Sequence, residues 1–169
     1  MMDPERLPFV VQRDPDGERS FAALLGLVRE KEGFLGERLL THGAILLRGW
    51  PVRSCEQFAE LVEGLSGRGG LLQYRGGASP RRALTAAAHP VYNSTEYPPD
   101  MELSLHNELS YSSAWPDRIY FLCMTAPADG GETTLGDSRR ILAGMPTGVR
   151  ARFEAKGVRY IRNLPSGAG

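Results

Sequence analysis

His106 and Glu108 stand two positions apart in the stretch Glu102-Leu-Ser-Leu-His-Asn-Glu-Leu-Ser-Tyr111. Residues i and i+2 of a β-strand share one face, so a strand here would aim an imidazole and a carboxylate into the same space. Two histidines and one carboxylate form the facial triad that holds non-heme Fe(II) and leaves coordination positions open for substrate and dioxygen. The pair supplies two of those three donors. The remaining histidines, His42 and His89, both precede it, and none follows Glu108 as far as Gly169. Either the second histidine comes early, or the residue that completes the site is not in this sequence. Taken by itself a His-x-Glu pair is a weak signal, because on an exposed strand it makes a solvated ion pair and nothing more. His42 precedes Gly43 at a helix end, where an imidazolium interacts favourably with the C-terminal dipole, which is a structural reading. His89, followed by Pro90 in an irregular loop, is a stray ligand candidate by spacing only.

The elements that must position these donors are legible from periodicity and caps. Ser20 can cap a helix in which Phe21, Leu24, Leu25 and Val28 fall on one face, ending near Gly33. A second short helix is expected over 34 to 42. Ala44 to Trp50 is a short apolar run between Gly43 and Pro51 and suits a buried strand. Ser54 with Gln57 forms a capping box for a helix whose Phe58, Leu61, Val62 and Leu65 make the buried stripe through to Gly67. From Gly67 to Pro99, glycines, prolines and an alanine patch show no sustained period, as in a long loop or lid. Strands are expected over 102 to 112, 118 to 125, 132 to 135 after the Gly130-Gly131 turn, and 158 to 164. Between the last two, Asp137 or Ser138 can cap a short helix and another begins near Pro146. Residues 1 to 19 carry three prolines and many charges and read as an irregular lead-in, leaving 20 to 169 as part of a single domain.

Composition narrows the function classes. A length of 169 residues suits one domain able to bury a real core. Twenty basic and twenty acidic side chains cancel, and neither sign forms a long block, so there is no electrostatic footprint for nucleic acid or an anionic membrane. The expected partner is a small molecule or a protein. The start, Met1-Met-Asp-Pro-Glu-Arg6, has acids where a signal peptide is basic, and no run is long and apolar enough to span a bilayer, so a cytoplasmic chain is expected. Cys55, in an apparent helix, and Cys123, in an apparent buried strand, read as reduced thiols.

Several blocks in fixed order carry a family resemblance: Thr41-His-Gly-Ala-Ile-Leu-Leu-Arg-Gly49, Ser94-Thr-Glu-Tyr-Pro98, Leu105-His-Asn-Glu-Leu-Ser-Tyr111, Trp115-Pro116, Gly130-Gly-Glu-Thr133, Asp137-Ser-Arg139 and Lys156-Gly-Val-Arg-Tyr160. From about Gly33 to Gly169 the chain resembles the N-terminal half of the TauD/TfdA family of Fe(II)- and 2-oxoglutarate-dependent dioxygenases, in its syringomycin-biosynthesis hydroxylase-like branch. The resemblance implies an α+β fold, a double-stranded β-helix or jelly roll with flanking helices, incomplete at the C-terminus. It implies that His106 and Glu108 are iron ligands, with Glu where most members carry Asp. A retained carboxylate favours hydroxylation of an unactivated C–H bond over halogenation. It assigns Thr133 to the 2-oxoglutarate carboxylate, with an ordinary hairpin residue as the competing reading. Asn93, Ser94 and Thr95 fall where related enzymes contact substrate, and they equally suit a turn. Tyr111 and Trp115 either line the pocket or pack beside it. The branch suggests an amino acid, free or carrier-tethered, in secondary metabolism, with Fe(II), 2-oxoglutarate and dioxygen as the reaction partners. The family pattern also needs a second histidine and a 2-oxoglutarate-anchoring arginine in a C-terminal half. Arg159 and Arg162 belong to the matched portion and are not that anchor. Half a jelly roll would expose sheet edges and invite self-association. The alternative is a catalytically silent relative that serves as a binding or assembly module.

Overall fold

In the computed structural model, which describes residues 7–66, 71–72, 81–86, 90–94, 100 and 102–161, the order of elements follows the caps. Strand β1 covers Phe9–Gln12, helix α1 Phe21–Glu30, helix α2 Glu32–His42, strand β2 Ile45–Arg48, helix α3 Cys55–Ser66, helix α4 Ser138–Gly144 and helix α5 Thr147–Lys156. Helix α1 starts where Ser20 Oγ accepts the Ala23 N–H at 3.0 Å, satisfying one of the free donors of the first turn. Its Leu24, Leu25 and Val28 are buried, the stripe that the 3.6-residue period requires. Only Lys31 separates α1 from α2, which buries Leu35 and His42. At α3 the reciprocal cap is shifted by one residue. Ser54 Oγ accepts the Gln57 N–H at 3.2 Å, while Gln57 Oε1 accepts the N–H of Arg53 rather than that of Ser54, at 2.8 Å.

Strands β1 and β2 pair in parallel, Phe9 opposite Ile45 and Gln12 opposite Arg48. Parallel strands need a crossover of a dozen or more residues, and α1 and α2 supply it. The irregular lead-in expected over 1 to 19 therefore contains a strand. The apolar Phe9-Val-Val run is short enough to be hidden between prolines and charges until β2 offers it a partner. The core lies between α1, α2, α3 and this ribbon. Leu24, Leu25, Val28, Leu35 and Leu61 form its centre, and Val11, Phe21, Ile45, Leu47, Trp50, Val52 and Leu65 pack around them. Burying an aliphatic side chain of this size stabilises by about 1.5–3 kcal/mol before entropy is counted.

The described residues of the strands expected over 102 to 112, 118 to 125, 132 to 135 and 158 to 164 are not paired. Among the described residues of these segments no strand is formed, and residues 162 to 164 lie outside the description. The reason is physical. A strand is stabilised by ladder hydrogen bonds and cross-strand packing, and among the described residues these segments have no neighbouring strand to supply either. Their apolar side chains stay exposed, Phe121 at 59% and Ile161 at 79% among them. Cys123 is accordingly exposed rather than buried, and Cys55 and Cys123 are both free thiols. No residue of α4 or α5 is buried either. No helix among the described residues is long and apolar enough to cross a membrane.

Candidate metal centre

The segment bearing His106 and Glu108 is held by individual hydrogen bonds instead of a sheet. Residues 102–107 precede a turn over 108–111, in which Leu109 adopts a left-handed φ of 53° and the Ser112 N–H donates to Leu109 O at 2.9 Å. Glu108 thus stands at the head of a turn, and the strand alternation expected to align it with His106 is not what positions it. His106 is exposed, and its Nδ1 lies 2.8 Å from Ser104 O. A carbonyl oxygen only accepts, so in the neutral ring the proton resides on Nδ1 and Nε2 keeps its lone pair. That tautomer leaves Nε2 able to ligate a metal, and the backbone contact is of the kind that orients metal-binding histidines.

Glu108 is half-buried, and its Oε1 accepts from Arg81 Nη2 at 3.1 Å, the two side chains being 19% and 17% exposed. No ion pair joins Glu108 to His106 among the described residues. Between them, Asn107 Oδ1 accepts from Ser138 Oγ at 3.1 Å, tying the segment to the start of α4. The start of α4 is in turn fixed to the helical layer. Arg139 forks onto Asp137, Nε to Oδ1 at 3.0 Å and Nη2 to Oδ2 at 2.9 Å, and also donates to Leu40 O and Thr41 O at the end of α2. Those carbonyls belong to the last turn of a helix, where acceptors lack intrahelical partners and cations are favoured.

The side-chain hydrogen bond from Arg139, then the Arg139 backbone N–H, hold the Asp137 carboxyl down at about 2 from its ordinary 3.8. The folded form thus releases the Asp137 proton more readily than the unfolded chain. The stabilisation is complete above pH 3.8 and disappears as pH falls through about 2. A carbon-detected NMR titration of Asp137 is expected to show a midpoint near 2, and Arg139→Ala should move it back toward 3.8.

Arg81 begins one of two short segments, 81–86 and 90–94, that meet in an isolated antiparallel bridge. Ala83 bridges Tyr92 antiparallel, Leu84 N–H donates to Val91 O at 2.7 Å, and Asn93 closes the base by accepting the Arg82 N–H on Oδ1 at 2.6 Å. Asn93, expected as a substrate contact, is the residue that makes this hydrogen bond, while Ser94 is exposed. Thr133 is exposed, two residues after Gly131. Gly131 is obligatory where it is, since its φ is 74° and a Cβ would come within 2.7 Å of Pro127 Cγ. Tyr111 packs edge-on against Tyr160, and Trp115 is exposed. His42 is buried with its ring 5.1 Å from that of Phe9, a packing role. Thr95 and His89 lie outside the described residues. Arg81 escaped the sequence reading because it is one of four arginines in an aperiodic Gly-Pro-rich stretch, with no spacing to mark it out. Arg139 carried a signal, its place in the Asp137-Ser-Arg139 block.

The profile of the family described as "Taurine catabolism dioxygenase TauD, TfdA family" matches residues 7–169. The chain belongs to the TauD/TfdA family. Membership extends from β1 onward, beyond the resemblance that began near Gly33. The chain is 35% identical over 133 residues to the dapdiamide synthesis protein DdaC of Enterobacter agglomerans, covering 79% of this chain and 39% of that protein. It is 33% identical over 141 residues to a clavaminate synthase-like protein of Arabidopsis thaliana, covering 81% and 41%. It spans about two fifths of the length of these TauD/TfdA-type relatives.

TauD/TfdA membership implies dependence on Fe(II) and 2-oxoglutarate as a general property of the family. The donors fit such an ion in kind. His106 offers Nε2 in the right tautomer, and the Arg81 bond occupies Oε1 of Glu108, leaving Oε2 outside it. They do not complete a set, since no group of three His, Cys, Asp or Glu able to hold a metal occurs among the described residues.

Proposed function

We propose that this chain is the ligand-bearing N-terminal part of an Fe(II)/2-oxoglutarate-dependent dioxygenase that hydroxylates an unactivated C–H bond of a small substrate, an amino acid or a carrier-tethered aminoacyl group. The family match over 7–169, which includes both donors, is the observation that carries this reading. Bound Fe(II) with 2-oxoglutarate supplies the activation of dioxygen, one oxygen atom going to the substrate hydroxyl and one to succinate as CO2 is lost. His106 and Glu108 would hold the ion, and Ser104 O keeps the imidazole proton on Nδ1, leaving Nε2 to ligate. Thr133 donates its hydroxyl to the 2-oxoglutarate carboxylate, and Asn93, Ser94 and Thr95 edge the substrate site. The apolar segments at 102–112, 118–125, 132–135 and 158–164 become jelly-roll strands once neighbours pair with them, and the third ligand and the arginine for 2-oxoglutarate come from sequence outside these residues. Until then the segments' exposed apolar side chains favour self-association.

The silent-relative reading is favoured by one observation, the lack of a third donor among the described residues. Anaerobic addition of Fe(II) and then 2-oxoglutarate to the intact natural protein carrying this sequence separates the two. A weak visible charge-transfer band is expected. Its absence at saturating 2-oxoglutarate would leave the binding-module reading in place.

A further inference from the structure

We infer that Arg81 is a positioning residue that sets Glu108 for the metal, an inference that rests on the metal reading of His106 and Glu108. Glu108 heads a turn beside Leu109 at φ 53°, so no sheet ladder fixes where its carboxylate goes. The side chain has several torsions to freeze, and the described structure contains one polar contact that does so, Arg81 Nη2 to Oε1 at 3.1 Å. The contact engages a single carboxylate oxygen. Oε2 is left for coordination, the arrangement expected of a carboxylate that a hydrogen bond orients while it ligates. The partly buried pair, 17% and 19% exposed, is also sheltered from the screening that weakens surface ion pairs. Arg81 itself is anchored, because the next residue is gripped by Asn93 through both Arg82 N–H to Oδ1 and Asn93 N–H to Arg82 O. The bridged segments 81–86 and 90–94 are thereby coupled to the candidate metal site through one side chain.

Opposing this, a guanidinium near a dication repels it. If that repulsion dominated, Arg81 would compete with the metal, and its removal would tighten binding. Orientation is expected to win because loss of a partner that orients a ligating side chain costs about 10- to 100-fold in metal affinity.

The test is anaerobic titration of the intact natural protein with Co(II), read from its visible d–d bands, for wild type, Arg81→Ala and Arg81→Lys. Arg81→Ala should bind Co(II) about 10- to 100-fold more weakly, with a changed band shape. Arg81→Lys, which keeps a charged donor, should recover part of the loss and the wild-type spectrum, a rescue that a generally loosened fold would not show. If Arg81→Ala fails to fold, Arg81→Gln carries the same expectation. Equal or tighter Co(II) binding in the neutral variant overturns the inference alone. A wild-type protein that develops no Co(II) bands overturns the metal reading as well.

Discussion

His106→Ala is expected to weaken Fe(II) binding by more than about 100-fold, since removing a ligand must cost at least as much as removing a group that only orients one. The charge-transfer band and hydroxylation of substrate should vanish with it. The prediction is sharp because His106 is exposed, with one described hydrogen bond, to Ser104 O. Surface substitutions of that sort change stability by no more than about 0.5 kcal/mol, so a urea unfolding curve of the variant should overlay that of wild type. Loss of metal with unchanged unfolding would separate a ligand from a structural histidine. His42, buried against Phe9, should behave in the opposite way, disturbing the fold when truncated. Retention of the band in His106→Ala would remove the basis for the iron assignment.

Leu24→Ala is expected to destabilise the protein by about 2–5 kcal/mol, the cost of a core truncation that leaves a cavity. Leu24 is 0% exposed and central to the cluster formed with Leu25, Val28, Leu35 and Leu61. Alanine is the better helix former, so propensity in α1 acts slightly against the loss and the whole effect is one of packing. A domain is stable by only about 5–15 kcal/mol, so this one change removes a large share of the margin. Denaturant unfolding measures it directly, with Leu40→Ala as the control. Leu40 is 78% exposed and its truncation should cost about 0.5 kcal/mol or less. Equal effects from the two variants would mean that the α1–α3 cluster is not the core.

The helix starts were legible from single capping residues. Ser20 and Ser54 each announced a helix start and Asp137 or Ser138 a third, and the structure uses the side chains of Ser20, Ser54 and Asp137 as acceptors for backbone N–H groups of the first turn. These are local effects, settled within one turn of helix, and they survive whatever lies elsewhere in the chain. The strand over 44 to 50 shortened to Ile45–Arg48, and its partner at Phe9–Gln12 was missed, because pairing is decided by a segment more than 30 residues away.

By itself, then, the order of residues determined the helix starts, the stripes that form the core, the spacing of a histidine and a glutamate two positions apart in the chain, and membership of the family. Tertiary structure decided which side chain faces Glu108, which carbonyls Arg139 caps, and whether apolar runs such as Arg118 to Thr125 become strands. Helices satisfy their own backbone hydrogen bonds, whereas a strand or an ion pair needs a partner brought from a distant part of the chain.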